Sequence, residues 1–405
     1  MKSATNAFFH NMIILMVLKF ALLGHSPVVM AEPEVSGFIS AIGGYAMERD
    51  TGGYEADAMT FAKDSLLGLQ VSQDISPRLS ATGQLVARGA DDFTAEAAWA
   101  YLTYHLADSA QFRMGRFRTP FFLYSDFLDV GYAQHWISAP DEVYALQFDS
   151  VDGMDLTYSQ SFGRLDSKIQ MYFGSSEDEF ILDRQDATFD IRLREQMGII
   201  GTLNYGWLTA RASFHQATRL SIDNFSDLPL PAPLGSIAGL RSAVMELNAA
   251  YPLGAGGRFL LDHLDVQDVA AEFSEFALRM QWTHFFILGE GTLLTFDDSP
   301  LAKQRRHLVS TGINWHKITV FATYARANDE PVDLASTLDT VPNGQDLRRA
   351  LHRLTHSLAL ESESRTVGLR YDMEAGAAFK IEITENQIPQ NDQSNLVRFG
   401  FDLVF

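Results

Sequence analysis

The chain has 405 residues, no cysteine and a net charge of −20, with 51 acidic residues against 31 basic ones. The lack of cysteine excludes disulfides and thiolate metal sites, and the acidic surplus argues against nucleic acid as a partner. After Leu23 no apolar run reaches the length of about 20 residues that a transmembrane helix needs, although 46% of the residues are hydrophobic.

Residues 1–31 are predicted to be a secretory signal peptide. Lys2 precedes an apolar run over residues 12–23, and Val29 and Ala31 provide small residues at the spacing that a signal peptidase requires. An uncleaved membrane anchor is the alternative, but the run is shorter than a membrane span. We therefore expect residues 32–405 to form the mature protein.

Apolar and polar residues alternate along most of the mature chain, which is the pattern of β-strands with one apolar face. Clear examples are residues 67–72, 154–159, 165–173, 208–215, 276–283, 366–371 and 379–384. A soluble sandwich or propeller would show alternation too, but no repeat of fixed period supports a propeller. Even spacing of apolar residues without long blocks favours the wall of a membrane barrel.

Eight short polar segments are predicted to be hairpin turns. They are residues 75–78, 107–109, 162–164, 204–206, 252–257, 289–291, 316–317 and 374–376. Eight hairpins and one strand at each end give 18 strands, or 16 if one hairpin, most doubtfully 273–297, is miscounted. We predict an all-β fold, a transmembrane antiparallel β-barrel of 16–18 strands with short periplasmic turns and long outer loops.

The most unusual segment runs from Gln111 to Tyr144 and is aromatic and acidic. It begins as a strand with Arg113 on the polar face, and Pro120 ends the strand because proline cannot donate to a sheet ladder. A barrel of 16–18 strands leaves an open lumen, and an apolar loop has reason to pack inside it. We expect residues 119–145 to fold into the lumen as a constriction.

Charged residues on this loop, at its root and on the polar strand faces are the candidate pore residues. They are Arg113, Arg116 and Arg118 at the root, Asp126, Asp129, Asp141 and Glu142 on the loop, and Arg88, Lys168, Arg211 and Lys380 on the inner wall. Acids facing bases across a narrow channel create a transverse field that sets ion preference. We expect Asp126 and Asp129 to face Arg113 and Arg116, whereas a merely solvated inner wall is the simpler alternative.

The phrase from Met114 to Phe121, MGRFRTPF, resembles the Gly-basic-aromatic-basic-x-Pro-Phe pattern of the phosphate-selective group of Gram-negative porins. This resemblance implies that the third outward loop narrows the pore and that three barrels form a homotrimer. The chain lacks the dense arginine ladder and lysine cluster of that group, so phosphate is not assigned as the solute. A water-filled channel for passive diffusion of ions and small hydrophilic solutes is the expected function.

The last residues form a strand that ends in an aromatic residue. Phe399, Phe401, Leu403 and Phe405 share its apolar face, and the stretch resembles the C-terminal signal that the barrel assembly machinery reads. This predicts the bacterial outer membrane as the location. Membrane lipid is then a partner, as is lipopolysaccharide, whose phosphates divalent cations can bridge to acidic loops.

No enzyme activity, cofactor or metal site is predicted. Asp91-Asp92 and Asp262-His263 have the residue types of an omptin-type protease site, but the second pair is expected within a strand, away from the outer rim. No G-x-S-x-G nucleophile elbow is present.

A surface receptor or adhesin without significant conductance is the second hypothesis. Long loops at residues 174–190, 218–238 and 328–361 support it. In the last of these, residues 348–358 predict a short helix with His352 and His356 four residues apart. This spacing can bind a metal, but no acidic third ligand is evident, so a solvated helix face is expected.

Overall fold

A computed structural model describes residues 32–56, 58–146, 148–182, 187–388 and 392–405. Within these ranges sixteen antiparallel strands form a closed barrel, in which every strand pairs with its chain neighbours and β1 pairs with β16. The strands are β1 Glu34–Ala46, β2 Leu66–Ser76, β3 Leu79–Arg88, β4 Ala95–Ala107, β5 Ala110–Arg118, β6 Ser150–Phe162, β7 Leu165–Leu182, β8 Ala187–Tyr205, β9 Leu208–Ile222, β10 Val269–Gln281, β11 Phe285–Phe296, β12 Lys303–Trp315, β13 Ile318–Glu330, β14 Glu361–Glu374, β15 Ala377–Ile388 and β16 Asp392–Val404. The predicted signal peptide, residues 1–31, lies outside the described residues.

The predicted fold class is confirmed, and the strand number is 16, the lower of the two counts. The turn predicted at residues 252–257 is wrong, because this segment joins two helices, α2 (Ile237–Ala250) and α3 (Ala255–Asp262). The buried residues Ile237, Leu240 and Val244 of α2 recur at helical spacing, and the Ser236 side chain caps its first turn.

A second predicted turn, residues 289–291, is also wrong. These residues lie in the middle of β11, and the hairpin turn between β10 and β11 falls at residues 282–284 instead. Gly289 and Gly291 pair regularly with Val309 and His307 of β12, so the ladder continues through the two glycines. Glycine within a strand weakens it without ending it.

The alternation of the strands gives the barrel an apolar outside. Phe173, Val309 and Ile383 are exposed on the outer face, whereas their neighbours Ser310 and Thr384 are buried on the inner face. At the end with the short turns, Trp207 stacks on Trp282, with 5.2 Å between ring centroids. An apolar band with aromatic residues at its edge is what a membrane barrel presents to lipid. No helix among the described residues is long and apolar enough to cross a membrane.

The chain's last residue closes the barrel. Gly37 and Phe405 exchange two backbone hydrogen bonds of 2.8 and 3.0 Å. The exposed Phe405 ring covers Gly37, where an added Cβ would lie 2.6 Å from the ring. The terminal residue therefore completes the junction between β1 and β16 on the side that faces lipid.

Deleting Phe405, or changing it to Asp, should impair insertion of the barrel into the outer membrane. The deletion removes the final pair of hydrogen bonds, and the aspartate would place a charge on the lipid-facing surface. Outer-membrane fractionation followed by a heat-modifiability gel measures the folded fraction. Wild-type amounts of folded barrel would contradict this role.

The outer end of the barrel carries a helical cap, which we define as α2, α3 and α4 (Gln345–Ser357) in the loops β9–β10 and β13–β14. The two loops contact each other where the Asn343 side chain donates a hydrogen bond to the Tyr251 hydroxyl over 3.2 Å. Their apolar faces form one buried cluster, which includes Ile237, Leu240, Val244, Leu260, Leu264, Leu334, Leu338, Leu347, Leu351 and Leu354. The same cluster continues into the loop between β5 and β6.

Candidate functional site

The loop between β5 and β6, residues 119–149, is bound by the inward-facing side chains of many strands. We call it the internal loop. Its contacts run to Arg88 on β3, Arg211 on β9, Glu290 on β11, Ser310 on β12, Thr323 on β13, Ser364 and Arg370 on β14, Lys380 and Glu382 on β15, and Arg398 on β16. A loop enclosed by a barrel must satisfy its backbone polar groups. Five of these strand residues bond to loop backbone atoms, namely Arg211, Glu290, Arg370, Lys380 and Glu382. The other five bond to loop side chains.

Lys380 anchors the middle of the internal loop. Its fully buried ammonium donates to the carbonyl oxygens of Gly131, at 2.7 Å, and of Trp136, and it pairs with Asp402 of β16 at 2.8 Å. The Ser40 hydroxyl donates to Asp402 over 2.6 Å. A Cβ on residue 131 would lie 2.2 Å from the Asp402 Oδ1 atom, so only glycine permits this approach.

Arg211 anchors the root of the internal loop. It donates to the carbonyl oxygens of Pro120 and, at 3.0 Å, of Phe121, and it pairs with Glu275 of β10 at 2.5 Å. On β11, the buried Glu290 accepts from the Leu123 backbone N–H over 3.0 Å. The two strands thus hold the loop just after the proline that ends β5.

Aromatic residues fix the remaining length of the internal loop. The buried Trp136 indole donates to the Thr323 hydroxyl over 2.8 Å, and the next backbone N–H, that of Ile137, donates to Glu382 over 2.6 Å. The Tyr144 hydroxyl donates to Glu290 over 2.5 Å. Burial of the tryptophan, the largest enclosed side chain of the described residues, adds apolar stabilisation to these polar contacts.

Asp129 lies between two arginines. Its carboxylate accepts from Arg88 at 3.0 Å and from Arg118, and Arg118 also reaches Asp149 at 3.3 Å. The Arg118 side chain is buried, whereas 24% of the Arg88 side-chain surface is exposed. The arginines paired with Asp129 are therefore Arg88 and Arg118.

Arg113 and Arg116, the expected partners, are engaged elsewhere. Arg113 donates to the buried Asp155 of β6, with a shortest distance of 2.5 Å. Arg116 pairs with Asp152 at 2.7 Å, and both side chains are exposed. These four residues are opposite each other in the ladder between β5 and β6. Both arginines therefore form their ion pairs across the two strands.

The other predicted loop acids lie in different surroundings. Asp126 is exposed and lines a cavity of about 150 Å³ together with Lys168 and Arg211. Asp141 and Glu142 begin the one-turn helix α1 (Asp141–Tyr144, which precedes α2 in the chain). Asp141 is exposed, whereas Glu142 is buried, accepts from Ser364 over 2.9 Å and has its pKa raised by that burial.

Several residues of the site were not singled out from the sequence. Glu290 was assigned to a turn that does not exist, and Asp402 and Glu382 are acids on polar strand faces that alternation alone cannot rank. Arg398 joins Glu382 at 2.9 Å to Asp64 at 3.0 Å, which ties the loop β1–β2 to the same network. The positions of these residues follow from which strands the internal loop crosses, and this is tertiary information.

The prediction that the Asp262-His263 pair lies in a strand is wrong. The pair lies at the end of α3 in the outer loop β9–β10. His263 is largely buried and its ring packs on Phe259. The Nδ1 atom of His263 is hydrogen-bonded to the carbonyl oxygen of Phe259 at 2.9 Å. The Nε2 atom lies 3.9 Å from Asp298. The objection to this pair on grounds of location therefore fails, and its surroundings are those of a packed helix end.

Comparison with known proteins gives structural matches only. No family model matches the chain, and no curated protein matches it either. OmpF of Salmonella typhi, solved with daunomycin, matches with a TM-score of 0.56 and 10% identity over 93% of this chain and 100% of that one. An anion-selective porin from Comamonas acidovorans matches with a TM-score of 0.55 and 11% identity, covering 92% and 99%.

OmpT of Vibrio cholerae, an outer-membrane protein solved in a trimer form, matches with a TM-score of 0.52 and 11% identity, covering 92% of this chain and 99% of that one. At such identities the matches establish the fold, and they agree with the apolar outer face and the short turns described above. The chain is a β-barrel of the bacterial outer membrane with the fold of the porins.

Proposed function

We propose that this barrel is a porin, a water-filled channel for passive diffusion of ions and small hydrophilic solutes. The observation that carries the proposal is the internal loop, which is held by inward-facing side chains on strands from β9 to β16. A barrel of this size otherwise leaves an aqueous lumen. A loop fastened along one wall narrows such a lumen into a selective passage.

The proposed passage runs between the internal loop and the wall formed by β2 to β8, on which the loop contacts Arg88 of β3 through Asp129. Asp126 is exposed on the loop side, and Lys168 and Arg88 retain exposure on the wall side. A further cavity of about 420 Å³ is lined by Arg88, Arg118 and Asp149 among other charged residues. The mixture of signs gives the passage a transverse field.

Single-channel recording in a planar bilayer tests the proposal, and the double variant Asp126→Asn with Asp129→Asn tests the field. Two unit charges about 4 Å apart interact by roughly 1 to 4 kcal/mol at effective dielectric constants of 80 to 20. Removal of both acids should therefore shift the reversal potential in a salt gradient towards anions.

The double variant Asp339→Asn with Asp346→Asn is the matched control, because both acids are exposed at the outer end, where they pair with Arg348 and Arg349. It should leave the reversal potential near the wild-type value. An equal shift in both variants would show that the loop acids have no special place in the pore. Absence of any conductance in the wild type would refute the channel itself.

Three further parts of the proposal concern assembly, solute and chemistry. The trimer form of one structural neighbour and the resemblance of residues 114–121 to trimeric porins support a homotrimer.

That short resemblance gives no ground for phosphate as the solute. We propose no enzymatic activity, because the buried acids near the loop are taken up by Arg211, Tyr144 and the loop backbone.

One observation favours the second candidate function, a surface receptor or adhesin. The helical cap gives the outer end a packed structure of its own instead of open loops. Such a surface could bind a partner whether or not the barrel conducts. Conductance at the single-channel level separates the two functions, since a receptor without a channel would give none.

A further inference from the structure

The cap helix α4 presents a basic face to solvent. Leu347, Leu351 and Leu354 are buried on its inner side. The exposed residues of the helix include Arg348, Arg349, His352, Arg353 and His356. In a chain with a net charge of −20, this is a local concentration of basic groups on a well-packed element.

These basic side chains line a cavity. It has a volume of about 850 Å³ and lies between α4 and residues 331–339. Its charged or titratable lining residues are Arg348, Arg349, Arg353, His352 and His356 on the helix and Asp333 and Asp339 across from it. Among the lining residues, three arginines and two histidines outnumber two aspartates, and a further acid, Asp346, pairs with Arg349 outside the lining. The volume is that of a small-molecule site.

The arginines of this face form only exposed ion pairs with other residues that the structure describes, or none. Arg348 pairs with Asp339 at 3.0 Å and Arg349 pairs with Asp346, and all four side chains are at least half exposed. Such exposed pairs contribute little to stability and are readily exchanged. Arg353 forms no ion pair among the described residues. A ligand can therefore recruit these arginines without breaking the fold.

We propose that this cavity is a binding site for an oligoanion that carries two or more phosphate groups. Guanidinium groups bind phosphate through two parallel hydrogen bonds, and a helix fixed by its apolar face holds several of them in a constant arrangement. The rings of His352 and His356 stack with 4.0 Å between centroids. The two histidines have no third ligand for a metal, because no group of three His, Asp or Glu residues within the described ranges is arranged to hold one.

Calorimetric titration of the purified full-length barrel with tripolyphosphate in a neutral detergent tests the site. The double variant Arg349→Gln with Arg353→Gln should weaken binding at least about tenfold, because charge-assisted contacts are lost. The control double variant Arg219→Gln with Arg305→Gln removes two exposed, ion-paired arginines elsewhere and should bind as the wild type does. Equal affinity in the wild type and the Arg349/Arg353 variant, or no binding by the wild type, would overturn the proposal.

At constant pH, His352→Gln with His356→Gln should weaken tripolyphosphate binding, because both rings line the cavity. Unchanged affinity in this variant would remove the histidines from the site.

The ligand's phosphates can come from a lipid headgroup or from a free solute, and the amount of lipid phosphate that copurifies from outer membranes distinguishes these sources. Less copurifying lipid phosphate in the Arg349/Arg353 variant than in the wild type identifies a phosphorylated lipid. Unchanged lipid together with weaker tripolyphosphate binding identifies a free oligoanion. Neither result depends on whether the barrel conducts, so the site and the channel can fail separately.

Discussion

Deletion of residues 122–140 should raise the single-channel conductance severalfold while the barrel remains folded. This segment contains Gly131 and Trp136, whose carbonyl oxygens bind Lys380 within the ring of strands. Its removal returns the lumen to the width of an unobstructed barrel of sixteen strands. Lys380 and Asp402 still pair with each other after the deletion, so the strand ladder has no new unpaired charge there.

A deletion of equal length in the cap, residues 340–358, is the matched control. It removes α4 from the apolar cluster that the cap shares with the internal loop. Because the bonds from Lys380 and Glu382 to the loop remain, a smaller rise in conductance is expected. Heat-modifiability gels should show both variants folded. A folded 122–140 deletion with wild-type conductance would mean that the internal loop is not the constriction.

Lys380→Met should destabilise the protein by about 3–5 kcal/mol, the usual effect of removing one partner from a buried ion pair. The change leaves Asp402 buried without its cation and deprives the Gly131 and Trp136 carbonyl oxygens of a donor. Denaturant unfolding of the barrel measures the loss. A second readout, protease cleavage in the internal loop, should increase in the same variant.

Two controls separate the ion pair from the loss of a lysine. Lys380→Met combined with Asp402→Leu should be much less destabilising than Lys380→Met alone, because no unpaired charge remains buried. Lys168→Met removes a partly exposed lysine that lines a small cavity and should change stability by no more than about 0.5 kcal/mol. Equal losses at positions 168 and 380 would show that Lys380 does not anchor the loop.

The wall of the barrel could be predicted from the sequence because the alternation within each strand shows which side chains face outward. Phe401 and Leu403 are exposed and Asp402 is buried, as the alternation around the last residue predicts. The two wrong turns have local causes. Gly289 and Gly291 look like a turn but are tolerated by a ladder with partners on both sides. Residues 252–257 look like a hairpin, but they join helices whose apolar spacing was overlooked.

The charge pairs of the candidate site could be predicted only in part. That Asp129 would meet arginines follows from a basic strand end next to an acidic loop. Which arginines it meets depends on the ladder between β5 and β6, where Arg113 and Arg116 face Asp155 and Asp152 directly. Arg88, placed on the inner wall by alternation, becomes a partner because the loop folds back to β3. Such choices are decided by contacts between residues distant in sequence.

The apolar cluster that joins the helical cap to the internal loop restricts how this protein's surface can diversify. Surface loops ordinarily tolerate substitution better than the elements they connect. Here the inner faces of the cap, with Leu347, Leu351 and Leu354, share their packing with Phe121, Phe122 and Trp136. Substitutions that leave this packing intact are therefore confined to the outward faces of the helices. A substitution on the inner face of the cap that disturbs the shared packing would therefore also disturb the internal loop.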